Sequence, residues 1–181
     1  MLITSLTKST RWLVPVLAIS LSGCGLTQSV SDGTRSAVSS IFYKKIKVLH
    51  LDFIAREALN TDARENHSSP QSVVIRVYQL KDRKAFDKLV YQQLATDGDT
   101  LLGADLLASR DLVLSPGGAV NLNMPMEPEA QFVAVVGLFR QPDLAKSGWQ
   151  QVLEREALDP DNARVLEASE NSLSLLPVKK E

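Results

Sequence analysis

Two histidines, one cysteine and a few carboxylate-bearing turns are all that this 181-residue chain offers to chemistry. His50 and His67 lie seventeen residues apart, and zinc takes three or four protein ligands, so the imidazoles alone do not make a centre. His67 with Asp62 and Glu65 is one combination of metal-ligand character; the alternative is a solvated polar loop. Ser115-Pro116-Gly117-Gly118 has the glycines of a phosphate loop without its lysine or its following helix, and reads as a turn. Asp159-Pro160-Asp161-Asn162 lacks the spaced ligands and closing glutamate of a calcium loop, and also reads as a turn. There is no Gly-x-Ser-x-Gly elbow, Cys24 is the single thiol, and nothing pairs the remaining carboxylates. The expectation is a protein that is not an enzyme and holds no metal or cofactor.

The surroundings of Cys24 give it another role. Lys8 and Arg11 precede a ten-residue apolar run, Trp12 to Leu21, and the small residues Ser22 and Gly23 follow. That is the layout of an export signal. The run is too short for a permanent anchor, which needs ~20 apolar residues. A buried first helix is the competing reading, but nothing caps it. Leu21-Ser22-Gly23-Cys24 resembles the lipobox of bacterial lipoproteins. The resemblance implies cleavage between Gly23 and Cys24, a diacylglycerol on the sulfur, and an acylated new amino terminus. Two or three acyl chains, at ~0.8 kcal/mol per buried CH2, make a stable anchor. By resemblance to enterobacterial sorting, Gly25 as the second mature residue implies the outer membrane.

The composition, 44% hydrophobic and 23% charged, is that of one globular domain. The expected division is a signal peptide over 1–23, a lipidated tether over 24–44 and a periplasmic domain over 45–181. Without the signal, 18 Lys and Arg stand against 21 Asp and Glu, a net charge of −3, and no basic stripe is present. That excludes a nucleic-acid partner. With no second cysteine, the domain must hold together through its core and not through disulfides. In the tether, Gly25 to Ser40 reads as flexible coil reaching about 20–24 Å. A short helix capped near Ser31 or Asp32, with Ala37, Val38, Ile41 and Phe42 on one face, is the alternative.

Period two then dominates. Lys47 to Arg56 puts Leu49, Leu51, Phe53 and Ala55 on one face and His50, Asp52 and Arg56 on the other, a half-buried strand. Ser72 to Leu80 is β-branched and aromatic and reads as a second strand. The polar connection between them, 60–71, has no apolar periodicity, and loops of that length in compact domains are often functional. Phe86, Leu89, Val90 and Leu94 have the spacing of an amphipathic helix, and Thr100 to Ala108 reads as a second, shorter helix capped by Asp99. Asp111–Ser115 and Ala119–Met124 read as strands flanking the Pro116-Gly117-Gly118 turn. Phe132 to Phe139, almost wholly apolar, predicts a strand covered on both faces. Trp149 to Ala157 fits a helix or a strand, and Arg164 to Leu176 a hairpin divided at Glu170-Asn171. The sum is a mainly β fold, a two-sheet β-sandwich with a short helical insertion after the second strand.

Read in order, Leu51-Asp52-Phe53-Ile54-Ala55-Arg56, Leu59-Asn60-Thr61-Asp62, Pro70, Val73 to Lys81, Ala85-Phe86-Asp87, Val133 to Arg140 and Trp149 resemble the TssJ (VasD/SciN) family of type VI secretion lipoproteins. Thr61 stands where the family often has proline, and Gln150 where arginine is common. The resemblance implies a transthyretin-like or immunoglobulin-like sandwich and a structural function. It implies an outer-membrane lipoprotein binding the periplasmic C-terminal domain of TssM, within a TssJ–TssL–TssM complex. It also favours a strand at Trp149 and makes the loop after the first strand the partner-binding segment: Asn60, Thr61, Asp62, Ala63, Arg64, Glu65, Asn66, His67, Ser68, Ser69 and Pro70. Two other readings are a pilotin-like assembly module of another envelope machine and a lipid-anchored hydrolase with a cryptic catalytic group.

Overall fold

A computed structural model describes residues 46–62, 64 and 67–178. The expected signal peptide, the tether with Cys24, and the loop residues Ala63, Glu65 and Asn66 lie outside the described residues. Eight strands form two four-stranded sheets. They are β1 (Val48–Leu59), β2 (Val73–Leu80), β3 (Leu106–Leu114), β4 (Ala119–Pro125), β5 (Phe132–Leu138), β6 (Gln150–Glu154), β7 (Arg164–Glu170) and β8 (Ser172–Leu175). One sheet has the order β4-β1-β7-β8 and the other β3-β2-β5-β6. Among the described residues every strand pairing is antiparallel except β1 with β7, which run side by side in the same direction.

The alternation along each strand builds the core. Leu49, Leu51 and Phe53 of β1 pair with Met124, Leu122 and Val120 of β4 and face the opposite sheet, while His50 and Asp52 face outward beside Asn123 and Asn121. In the second sheet Val73, Ile75 and Val77 point into the sandwich. Tyr78 and Leu80 point the other way yet are also buried, because the chain between β2 and β3 covers that face. This double cover explains why Phe132 to Phe139 is nearly all apolar.

The covering segment departs from the amphipathic pattern. Phe86–Lys88 is a single 3-10 turn, Leu89 and Val90 are extended, and the helix α1 spans Tyr91–Leu102. Gln93 accepts the Val90 N–H at 3.0 Å and so closes the first turn. Phe86 and Leu94 are buried as the spacing predicted, but Val90 is exposed, since two extended residues reset the helical register. There is no second helix starting at Thr100: α1 runs through it, Gly103–Asp105 forms a 3-10 turn, and Leu106 already begins β3. Asp99 lies inside α1 and accepts from the Ser109 hydroxyl at 2.9 Å instead of capping a helix. At 149–157 the strand alternative is the one found, followed by a 3-10 turn.

Asp97 breaks the helical geometry inside α1 (φ −130°, ψ 23°). Close to that kink, the Leu94 carbonyl accepts from Arg76 Nη1 at 3.2 Å and from the Tyr78 hydroxyl at 3.5 Å. Arg76 also grips Asp111 of β3 with two 2.8 Å hydrogen bonds, and that partnership holds its guanidinium more firmly protonated than usual.

The end where β1 begins is knitted by two buried polar side chains. Gln79 donates to the Pro125 carbonyl and accepts from the Glu127 N–H, both at 2.8 Å. Arg155 donates to the carbonyls of Ala130 (2.5 Å), Glu127 (3.0 Å) and Ile46 (3.3 Å). Irregular backbone buried there would otherwise leave carbonyls unsatisfied.

Gly98 packs on the Tyr78 hydroxyl, and a Cβ at this position would run into it. Tyr78 is fully buried and tied to Leu94, so it has no room to yield. Gly98→Ala is expected to destabilise the domain by about 1–3 kcal/mol, the usual range for overpacking, read as a lower midpoint of urea unfolding.

A candidate recognition site at one end of the sandwich

The strand directions bring four connections to one end: the loop 60–72 after β1, the turn 115–118 between β3 and β4, the loop 139–149 between β5 and β6, and the turn at Asn171 between β7 and β8. They are joined to one another, and the residue that does most of the joining is Asn60. It adopts a left-handed backbone (φ 52°), which asparagine tolerates better than most residues. Its N–H donates to the Glu170 carbonyl at the end of β7. Its side-chain amide donates to the Ser72 carbonyl at 3.0 Å, and its side-chain oxygen accepts the Arg140 N–H at 2.8 Å. The Gln71 N–H closes the loop stem onto the Leu59 carbonyl at 3.0 Å, and Asn171 Nδ2 reaches the Thr61 carbonyl at 2.8 Å.

Asp62, only 5% exposed, forms a second knot. Its Oδ1 accepts from the Arg64 N–H (3.0 Å) and Nε (3.1 Å), and its Oδ2 from Arg64 Nη2 (2.9 Å) and Gln141 Nε2 (3.2 Å). The Asp62 N–H donates to Ser68 Oγ at 2.5 Å. The Arg64 backbone N–H holds the Asp62 carboxyl below the usual carboxylate range; burial opposes this, and the Arg64 and Arg140 guanidinium charges add to it.

The predicted stretch 60–70 thus divides in two. Asn60 and Asp62 are buried and bind the loop to its neighbours, Thr61 and Ser68 are half-buried, and Arg64, His67, Ser69 and Pro70 face solvent. The solvated-loop alternative describes only the exposed half, because hydrogen bonds to Ser72, Arg140, Gln141 and Asn171 hold the loop's first residues against the domain. Sequence reasoning missed Ser72, Arg140, Gln141 and Asn171, which lie 12 to 110 residues from the groups they hold. The one local signal was an asparagine at the end of an alternating strand, a residue suited to left-handed backbone.

Around the loop, the exposed Arg140, Asp143, Leu144, Ala145 and Lys146 complete a mixed-charge rim with one large apolar tip, Leu144. Ser72 and Ser115 meet at 3.2 Å, tying in the β3–β4 turn. The two histidines stay apart: His50 sits on the outer face of β1 with Nδ1 at 2.5 Å from Asn123 Oδ1. The Asp62 oxygens are occupied by Arg64 and Gln141, and among the described residues no three His, Cys, Asp or Glu side chains gather at metal-binding spacing. What the arrangement offers is a shaped surface with both charge signs, suited to recognition of a protein.

Residues 47–171 match the family described as type VI secretion lipoprotein, VasD, EvfM, TssJ. Two solved structures contain a chain 47% identical to this one, matched over 74% of this chain and 100% of the other. One is a structure of the T6SS protein TssM C-terminal domain from EAEC (TM-score 0.66), and the other a type VI membrane complex (TM-score 0.68). The T6SS lipoprotein TssJ1 from Pseudomonas aeruginosa has the same fold, at 20% identity and TM-score 0.61, over 75% of this chain and 99% of its own. No curated protein matches the chain.

Two consequences can be measured. Asn60→Gly keeps the backbone conformation but removes two side-chain hydrogen bonds, so it is expected to cost about 1–3 kcal/mol. Asn60→Ala should cost roughly 1–2 kcal/mol more, because alanine resists the left-handed backbone; chemical denaturation of both variants reads the difference. For Asp62 the folded pKa is the lower one. Its contribution is therefore present above the unfolded value of about 3.9 and disappears as the pH falls through the depressed folded value. Protection of the Arg64 amide, its exchange rate relative to the intrinsic rate at the same pH, should hold at pH 5 and fall only below about 3.9.

Proposed function

The chain belongs to the type VI secretion lipoprotein family, and from that membership we propose that it anchors the secretion system's membrane complex by binding the periplasmic C-terminal domain of TssM. The likeness that carries this reading is the 47%-identical chain found in a structure of that TssM domain. The match takes in the whole of that chain with about 134 residues of this one (74% of 181). The likeness to a chain of the type VI membrane complex supports a place in the same assembly, with TssL as its further member.

The geometry supports a particular orientation. The chain enters the domain at Ile46, whose carbonyl Arg155 holds, and β1 then runs twelve residues to Leu59. At roughly 3.3 Å per residue that is about 40 Å from the tether side to the recognition loop. Acyl chains on Cys24 would hold the tether at the inner leaflet of the outer membrane, and the loop end would face into the periplasm toward TssM. The contacting residues are proposed as the exposed part of 60–70, with the buried Asn60 and Asp62 supporting it. The role is that of a scaffold, with the lipid as its one covalent addition and no catalysis of its own.

The full-length lipidated chain, mixed in detergent with the TssM periplasmic domain of the same bacterium, should co-purify with it. A folded chain that does not bind would overturn the proposal. Arg64→Glu, at an exposed loop position, should weaken binding by about tenfold, in line with a rim charge placed against the wrong partner. Cys24→Ser should leave the protein soluble in the periplasm and still able to bind TssM in vitro; if it stayed with the membrane fraction, the lipid anchor would be wrong.

A further inference from the structure

A polar loop gains affinity for a partner if it is already in shape, because each rotamer-rich side chain frozen on binding costs free energy that the contacts must offset. Loop 60–72 has the composition of a loop that would need ordering, yet one buried carboxylate accounts for much of its described structure. We infer that Asp62 is a positioning residue of the recognition surface: it holds Arg64 and Ser68 in place and fastens them to the β5–β6 loop, so that the partner meets a preformed face. The inference rests on the TssM-binding reading and adds how that surface is prepared.

Three observations carry it. First, Asp62 is used from every side: Ser68 receives its N–H, Arg64 gives it three donors, and Gln141 gives a fourth from a loop 79 residues away. Second, the Arg64 side chain is three-quarters exposed although its guanidinium is fixed on Asp62, so the contact displays that side chain instead of hiding it. An ion pair of this exposure contributes little to global stability. A function in aiming the guanidinium explains it better than a function in holding the fold. Third, Gln141 and Arg140 adjoin the exposed Asp143, Leu144 and Lys146. With Asn60 accepting the Arg140 N–H and Asp62 the Gln141 amide, the two loops share their supports and present one face. Asp62 itself is too buried to touch a partner, so its effect on binding must pass through the residues it holds.

The test uses the full-length lipidated chain in detergent, the TssM periplasmic domain, and the variants Asp62→Asn and Gln141→Ala. Asp62→Asn keeps the side-chain volume but gives up the charge and two of the four acceptor positions toward Arg64 and Gln141. Amide exchange at Arg64 should speed up at least tenfold while the midpoint of global unfolding stays within a degree or two, a pattern that a merely structural role would not give. Affinity for TssM should fall about tenfold to a hundredfold, with a less favourable binding entropy. Gln141→Ala should weaken binding in the same direction, and the double variant should lose less than the two single losses multiplied together.

The outcomes separate cleanly. If the parent chain fails to bind TssM, the functional reading falls. If the parent binds and Asp62→Asn loosens Arg64 without changing affinity, the loop does not meet the partner in its preformed shape and the inference falls alone. If the losses from Asp62→Asn and Gln141→Ala multiply independently, Asp62 does not act through the inter-loop link, and the positioning account is wrong. If Asp62→Asn does not fold, Gln141→Ala decides by itself, since unchanged affinity in that variant also refutes the link.

Discussion

The structure depends on the position of β1. It lies between an antiparallel neighbour, β4, paired over Val48–Ile54, and a parallel neighbour, β7, paired over Leu51–Ala55 and at Leu59. A parallel pair ends at the same pole, so the end of β7 is delivered to the end of β1, where Glu170 accepts the Asn60 N–H and Asn171 reaches Thr61. Had β7 run antiparallel, its hairpin with β8 would lie at the opposite end, where β1 begins, and the loop 60–72 would lose two of its supports. The register with β7 shifts between Ala55 and Leu59, just before Asn60 takes up its left-handed backbone at the end of the strand.

The two poles solve one problem with opposite means. Each gathers irregular backbone whose polar groups must be satisfied away from bulk water. At the end where β1 begins a guanidinium and an amide, Arg155 and Gln79, supply donors to carbonyls of Pro125, the β4–β5 connection and Ile46. At the end carrying loop 60–72 the anchoring groups, Asn60 and Asp62, collect N–H donors and amides within that loop and from its neighbours. Both arrangements join segments far apart in sequence, so they form only when both sheets are in place.

That distance explains which parts were legible in advance. β1, β4 and β5 could be read because alternation, or its absence, is a local consequence of which faces are covered. The start of α1 could not, because the apolar spacing from Phe86 to Leu94 is satisfied equally by a helix and by a 3-10 turn followed by two extended residues. Tertiary fit decided: Phe86 stacks edge-on against Tyr78, and the Tyr91 hydroxyl finds the Phe139 carbonyl. The length and polarity of 60–70, together with the family resemblance, singled that loop out as the candidate site. Its internal order was not legible, because Asp62 and Asn60 owe their burial to Gln141 and Arg140, about eighty residues away. Hydrophilic composition recorded the exposed half of the loop and hid the buried half.

If loop 60–72 makes the contact proposed above, the chain's entry at Ile46 and that contact lie at the two ends of β1, with a mechanical consequence for an anchor. A pull between a lipid-held tether and a partner gripping the loop acts along β1 itself. Its backbone already spans about 3.3 Å per residue, against a limit of about 3.6 Å for a fully extended chain. Little length is left to give, so the load does not have to strip β1 from β4 or β7. Had the partner gripped β8 or the α1 side, the same pull would have loaded the sheet hydrogen bonds and the contacts between layers. Under the proposed function, a contact at the far end of β1 is thus the arrangement in which holding on requires least of the fold, and a loop fixed to β5, β7 and the start of β2 through Asn60 would transmit the pull without being drawn out first.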